Sequence, residues 1–566
     1  MAPGPPTTDR EARSGRALDT RGLIWPYVAM KRVKIAELKD HPSRRLHAAS
    51  PHADTPPQMA TTLAPGLIVR SRALGLVLVL AMGLPVVAAS EASVQAGRAT
   101  LSPLEGTTDP SGPRDLPTFV DLELDRFPRP AGEACAQPDR VVDVAPPASI
   151  SDALAGASAG TTIRVAPGTY VENLGDPTAL TWEADGICLL GADEEGEVVI
   201  DAAPGQKYGI DLRGDSAVLA GFTLRGFEAA VGLWSPAGDT QRSVTIERTR
   251  IEDFRGASRE GIVAYGDNRL VPGRPPTVDG LLVLDVTIDG VDMGVSCNAG
   301  PCEHWWIERT SVDGRRGSES SGADAFAIED GRQVVILDSV ARNAAADGID
   351  LKAEDAVVMG ARVLDVGRNG IKLWHGGDVL VSVVDGSGAD AALVGDGSGR
   401  YRYAHVLVTH HGAPGDTGYV GWWAYDEPAA VDVEIVDSVF VDNATGGLYV
   451  PEQGRVWLEH DDFADAGAKL LDRAGEVSYT EDLAALEAAG FGQGNLSADP
   501  DLCADRTPGQ GSPLVDAGTV VPGLERDLWG QPRVVGAAPD IGPVERQPGE
   551  PGQDAACESD DPSARP

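Results

Sequence analysis

From residue 218 onward the chain passes repeatedly through one short cycle of apolar and polar positions. An alternating strand ends in a polar turn, a second short strand follows, a loop of variable length intervenes, and the cycle closes on Gly-apolar-x-apolar. The closing step reads Gly261-Ile-Val-Ala264, Gly294-Val-Ser296, Gly348-Ile-Asp-Leu351, Gly370-Ile-Lys-Leu373 and Gly447-Leu-Tyr449. Phe326, Ile349, Ile371 and Ala392 occupy equivalent places, at intervals of 23, 22 and 21 residues. That period matches one turn of a three-sheet parallel coil rather than a helical repeat. Alternation sends neighbouring side chains to opposite faces, so each strand places one apolar row inside and another row outside. The fold class predicted is all-β: a right-handed, single-stranded parallel β-helix whose coils stack about 4.8 Å apart. About ten coils fit between residues 160 and 471.

The ends of the repeat have their own signals. Ile150-Ser-Asp-Ala-Leu154-Ala reads as a short amphipathic helix that caps the open first coil, and residues 481–489 as another where the repeat stops. The β-helix is expected over residues 141–480. Residues 481–545 change character: Ala498-Asp-Pro, Gly511-Ser-Pro-Leu-Val-Asp-Ala-Gly518 and Asp527-Leu-Trp-Gly-Gln-Pro-Arg533 resemble the closing segment of many bacterial surface β-helix proteins. That resemblance implies display outside the cell, with attachment to the envelope. Residues 546–566 read as a disordered tail, and residues 91–140, Pro-rich and aperiodic, as a linker. Before them, the apolar run 73–87 follows Arg70 and Arg72 and leads into Ala88-Ala-Ser90, the pattern of a signal peptide. Residues 1–90 are therefore a leader and signal, with Met59 a conventional start and residues 1–58 either disordered or an over-long start. The protein is expected to be secreted or held at the cell surface.

Composition sharpens this picture. The 68 glycines and an aromatic share of 5% suit many short strands and turns around an aliphatic core. Residues 1–90 carry 12 Lys and Arg against 6 Asp and Glu, which leaves 35 against 80 in the remainder, a net charge of −45. Nucleic acid and anionic membrane are disfavoured as partners of so acidic a body. All six cysteines follow residue 90, an even number for an oxidising compartment. Cys297 and Cys302 flank a turn short enough to bridge locally, and Cys503 with Cys557 would tie down the C-terminal segment. No Cys/His spacing resembles a zinc site, so any metal is bound by oxygen.

Stacking four coils places Asp324, Asp347, Asn369 and Asp390 at one corner, with Ala327, Asp350, Lys372 and Leu393 three residues further on. Asp324, Asp347 and Asp350 can then converge, and three carboxylates so close repel one another unless a cation joins them; calcium suits such an oxygen set. Aspartate and asparagine at these corners also stack in hydrogen-bonded ladders, which leaves the two readings open.

Gly322-Ala-Asp-Ala-Phe-Ala327, Ala346-Asp-Gly-Ile-Asp-Leu351 and Asn369-Gly-Ile-Lys-Leu373 resemble, in order and spacing, three successive signatures of the calcium-dependent β-helical pectate and exopolygalacturonate lyases. The resemblance implies calcium (Ca2+) held by Asp324, Asp347 and Asp350, and Lys372 as the base in β-elimination on a uronate-containing polysaccharide. It departs from the pattern at Ala346, where an acidic residue is usual, and at Trp374-His375. Only four lysines, Lys207, Lys352, Lys372 and Lys469, follow residue 90. Arginine cannot substitute as the base, because its guanidinium does not deprotonate.

Trp305-Trp306, Trp374 and Trp422-Trp423 are candidate sugar-stacking platforms or core packing. His405 and His410-His411 have no carboxylate at metal spacing and read as structural. The expected protein is a monomer that engages an acidic polysaccharide, as a lyase or as a non-catalytic surface adhesin or glycan-binding scaffold. An inverting glycoside hydrolase needs two carboxyl groups roughly 6.5–9.5 Å apart, and no closely spaced Asp pair supplies them. N-terminal sequencing of the exported protein should begin at or beyond residue 80; a start upstream of it contradicts the signal assignment.

Overall fold

The computed structural model describes residues 135–547, except 136, 192–195, 236–238, 266–276, 299, 319–321, 389, 414–417, 424–429, 465–468, 474–475 and 480–481, together with Leu124, Phe127, Arg129 and Pro130. By contacts the chain divides after Gly97, and everything described belongs to the unit that starts at Arg98. The expected leader and signal lie outside the described residues, as do most of the 91–140 linker and the expected tail beyond Gln547, whereas Arg546 and Gln547 are hydrogen-bonded to Asp540 and Pro532.

The repeat folds as a parallel β-helix of three sheets. The first sheet runs from Arg140–Val144 and Thr161–Val165 to Arg455–Glu459 and Gly492–Gln493. The second has 12 strands, from Gly168–Tyr170 to Asp462–Phe463. The third runs from Thr178–Trp182 to Lys469–Arg473, and the antiparallel strand Glu476–Tyr479 closes its edge. One long strand, Phe326–Leu337, belongs to both the first and the third sheet.

Each coil contributes one strand to the second sheet, so there are 12 coils where the repeat suggests about ten. The difference lies in the loops. One inward column of the third sheet runs Leu180, Ile210, Val231, Ile262, Val295, Phe326, Ile349, Ile371, Leu393. Its spacing is close to 22 residues from Phe326 to Leu393 and between Ile210 and Val231, and longer insertions hide the period elsewhere.

Leu393, not Ala392, continues the Ile371 position. Ala392 belongs instead to the glycine column one residue earlier, and the reason is steric. A Cβ on Gly348 would lie 2.8 Å from the Gly370 carbonyl oxygen and 2.4 Å from a Val363 methyl, and one on Gly370 would lie 2.6 Å from the Ala392 carbonyl oxygen. The Gly of Gly-apolar-x-apolar is thus the point where successive coils approach most closely.

Two interactions repeat along the corner between the first and second sheets. Arg248, Asp285, Arg309, Asp338, Val381, His405, Asp437 and His460 all have φ between 46° and 55°. Their N–H groups reach the next coil's carbonyl, for example Asp338 to Met359 at 2.9 Å and Val381 to Ala404 at 2.9 Å. Behind this corner, Ser339, Ser382 and Ser438 donate their hydroxyls to the carbonyl two residues back and accept an N–H from the preceding coil. These bonds satisfy backbone groups where the chain turns.

The ends are covered by apolar side chains. Ser149 caps the helix Ile150–Ala155, Glu172 accepts the N–H groups of Ile150 and Ser151, and Ile150 and Leu154 enter the core. At the other end Leu486, on the helix Leu483–Ala488, and Phe491 close the column. The C-terminal segment folds back along the outside: Val521 and Leu524 pack on Leu380, Val381, Ala404 and Val436, while Leu514 and Ile541 pack on Val383, Leu407 and Val439. Buried Arg533 contacts His405 and donates to the carbonyls of Asp540 and Gly542. Cys297 and Cys302 are bridged, Cys135 is joined to Cys188, and Cys503 is disulfide-bonded, while Cys557 lies outside the described residues.

A left-handed backbone costs a residue with a Cβ roughly 1–2 kcal/mol, and Asn or Asp tolerates it best. Asp338→Val should therefore lower stability by about 1–2 kcal/mol, while Arg248→Asn, at an exposed corner of the same kind, should raise the thermal midpoint; both are read by thermal unfolding.

Candidate functional site

The ladder comes first because it fixes the candidate residues. Asp324 Oδ1 accepts the Asp347 N–H at 2.8 Å, and Asp347 Oδ1 accepts both the Asn369 N–H at 3.1 Å and its Nδ2 at 2.9 Å. Asn369 Oδ1 then accepts the Ala391 N–H. Ala391 is the fourth rung, and Asp390, one residue earlier, pairs with Arg368 instead. All three polar members are buried. Burial and the charges of Asp347 and Asp350 push the Asp324 carboxyl well above the usual carboxylate range.

Asp350 and Lys372 sit elsewhere, on the outward face of the third sheet. Ile349 and Leu351, like Ile371 and Leu373, point into the core, so alternation turns Asp350 and Lys372 outward, side by side in register. The same outward row continues through Val394, Trp422, Tyr449 and Asp472. Two residues further along the chain a second outward row holds Glu329, Lys352, Trp374 and Asp396.

These side chains form one chain of charges around an indole. Lys352 Nζ lies 2.7 Å from Glu329 Oε2 and 4.0 Å from Asp350 Oδ2. Trp374 donates its indole N–H to Asp350 Oδ1 at 2.6 Å. Lys352 and Lys372 lie 4.7 and 4.3 Å from the centre of the Trp374 ring, within cation–π range. Lys372 Nζ is 3.9 Å from Asp396 Oδ2, and its side chain is 7% exposed. Burial drives the Asp350 carboxyl up to about 6, offset in part by Lys372 and Lys352 and reinforced by Asp347 and Glu329. Asp350 and Glu329 hold Lys352 above the usual lysine range despite its burial.

Whether calcium fits is decided by the donors. Calcium takes 6–8 oxygens at about 2.3–2.6 Å. Asp324 and Asp347 each use an oxygen to hold the next coil, Asp350 gives one to Trp374, and the positive charges nearest Asp350 are two ammonium groups. Among the described residues no three His, Cys, Asp or Glu side chains gather so as to hold a metal ion. As folded, the three aspartates do not make a calcium cage.

The structure sorts the five tryptophans. Trp305 and Trp423 are core, Trp306 packs on Phe127, and only Trp374 and Trp422 reach the outward face of the third sheet. His405 and His411 are buried, beside Arg533 and Ser387, and exposed His410 contacts Asp385. The residue missed by sequence reasoning is Lys352. Its signal was its place two residues after Asp350, on the same outward face.

Solved structures were compared with the whole chain. Pectate lyase Pel9A is similar over 72% of this chain and 97% of its own, at 15% identity and a TM-score of 0.33. The A-module of Azotobacter vinelandii mannuronan C-5 epimerase AlgE4 is similar over 57% of this chain and 87% of its own, at 14% identity and a TM-score of 0.25. No family model and no curated protein sequence matches the chain.

The shift at Asp350 has a sign that can be checked. Its folded pKa lies above its ordinary value of 3.8, so the fold favours the protonated form. That contribution is complete below about pH 3.8 and is lost as pH rises through about 6. The thermal midpoint should fall as pH rises from 3.8 to about 6, and Asp350→Asn should flatten that part of the profile; an identical profile in the variant would place the titration elsewhere.

Proposed function

We propose that the protein engages a uronate-containing polysaccharide on the outward face of the third sheet and cleaves it by β-elimination, with Lys372 as the base. The observation that carries this reading is the pair Lys352 and Lys372. Two of the four lysines beyond residue 90 flank one tryptophan on this face. Lys352, held cationic by Asp350 and Glu329, offsets the charge of a uronate carboxylate and so makes the proton on the adjacent ring carbon more acidic. Neutral Lys372 removes that proton, the electron pair forms the carbon–carbon double bond, the glycosidic carbon–oxygen bond breaks, and water protonates the departing oxygen. No step here runs through calcium.

A second reading has its own support. The burial of Lys372 between Trp374 and Asp396, and the use of Asp324 and Asp347 as ladder rungs, suit a glycan-binding scaffold at the cell surface that performs no chemistry.

The full exported chain, incubated with polygalacturonate or alginate, should generate unsaturated ends seen as ultraviolet absorbance. Lys372→Ala should cost on the order of 10²–10⁴ in rate, with no rescue by Lys372→Arg. A chelator should leave the rate unchanged; its loss on chelation would mean that the aspartates regroup around a cation. Binding without turnover decides for the scaffold.

A further inference from the structure

We infer that Tyr419, Trp422 and Tyr449 form a sugar-stacking subsite for the same polysaccharide, two to three coils beyond Lys372 toward the C-terminus. The inference rests on the reading that a glycan lies along this face, and it adds where the chain extends and what holds it there.

Register supplies the alignment. Lys372, Val394, Trp422 and Tyr449 are successive members of one outward row, so the aromatic group begins about 10 Å from Lys372 along the coil axis. A polymer seated at Lys372 and running parallel to that axis passes directly over it. Val394, the one member of this row between the lysine and the rings, is short and apolar.

The three rings pack against one another and still keep part of their surface open. Trp422 and Tyr449 are successive members of a column, their planes crossing at 56° with centres 5.7 Å apart, a favourable tilted contact. Tyr419 meets Trp422 at 79° and Tyr449 at 52°. All three stay half-exposed, while the adjacent Trp423 is fully buried. Tyr419 donates its hydroxyl to Asp472 Oδ2 at 2.6 Å, which fixes the wall of the cluster.

The chemistry defines the occupant. A pyranose presents a face of C–H groups that gains by covering an aromatic face, and its rim hydroxyls need acceptors, here the Asp472 carboxylate and the tyrosine oxygens. No lysine or arginine lies in this part of the row. The subsite therefore reads the ring face of the sugar, and the carboxylate is read at Lys352 and Lys372.

Binding of galacturonate and mannuronate oligomers of two and of eight units, followed by calorimetry on the full exported chain, separates the possibilities. For wild type the longer oligomer should bind at least tenfold more tightly. Trp422→Ala and Tyr449→Ala should each remove most of that gain while leaving the dimer unaffected, and Trp422→Phe, which keeps a ring face, should restore it. Tyr449→Ala guards against a fold defect at Trp422, and unchanged thermal midpoints confirm that both variants are intact. If both alanine variants keep the wild-type length dependence, the subsite is overturned while the reading at Lys372 stands. If wild type binds neither series, both fall.

Discussion

Every strand in this molecule is stacked on a copy of itself one turn away, and the rest of the structure follows from the need to satisfy each coil's backbone through its neighbours. A coil can turn only where its N–H groups still reach the adjacent coil, which is why the corner residues repeat a left-handed conformation and why serine hydroxyls line up behind them. At Gly348 and Gly370 a Cβ would crowd the next coil's carbonyl, and the same column holds Ala325 and Ala392, also small. Function has to be written within the same rule. Asp350 and Lys372 are successive members of one column, and their chemistry arises because two adjacent coils place different ionisable groups at the same register.

The three sheets are not equivalent on the outside. Phe127 covers Leu282, Trp306 and Val335 on the first sheet, and the C-terminal segment covers parts of the first and second. Among the described residues, no apolar cluster of this kind lies over the outward face of the third sheet. The half-exposed tryptophans and the lysine pair are found there. Covering parts of two sheets with apolar side chains stabilises the solenoid.

Legibility followed the same physics. The Gly-apolar-x-apolar cycle could be read because close approach of coils leaves little choice of residue, and it placed Phe326, Ile349 and Ile371 correctly. The misplacement of Ala392 by one residue came from reading alanine as apolar and therefore inward, when it was filling a position limited to very small side chains. Coils upstream of Phe326 were undercounted because loop insertions change the spacing without changing the stack. At the site, spacing alone could not separate an aspartate that binds a cation from one that accepts the next coil's N–H, since both occupy the same corner. The structure adds the hydrogen bonds: Asp324 and Asp347 are rungs, and Asp350, three residues on, faces outward. Lys352 was passed over because the family resemblance directs attention to one lysine, Lys372.

A body with a net charge of −45 beyond residue 90 should repel an acidic polysaccharide, so the proposed ligand needs a specific reason to bind. At physiological ionic strength the screening length is about 8 Å, less than two coils, so charges elsewhere on the solenoid count for little at the third sheet. What remains is local. Lys352 supplies positive charge in a half-buried setting where screening is weak, and it and Lys372 both lie against the Trp374 ring. Their own partners, Glu329, Asp350 and Asp396, prevent the pair from acting as an indiscriminate anion trap, because a ligand must displace or share those contacts and only one with its carboxylate in the right place gains by doing so. On the proposed reading, acidity over the whole surface combined with basicity at one point would act as a filter, excluding polyanions recognised by charge alone and admitting one recognised by ring face and carboxylate together.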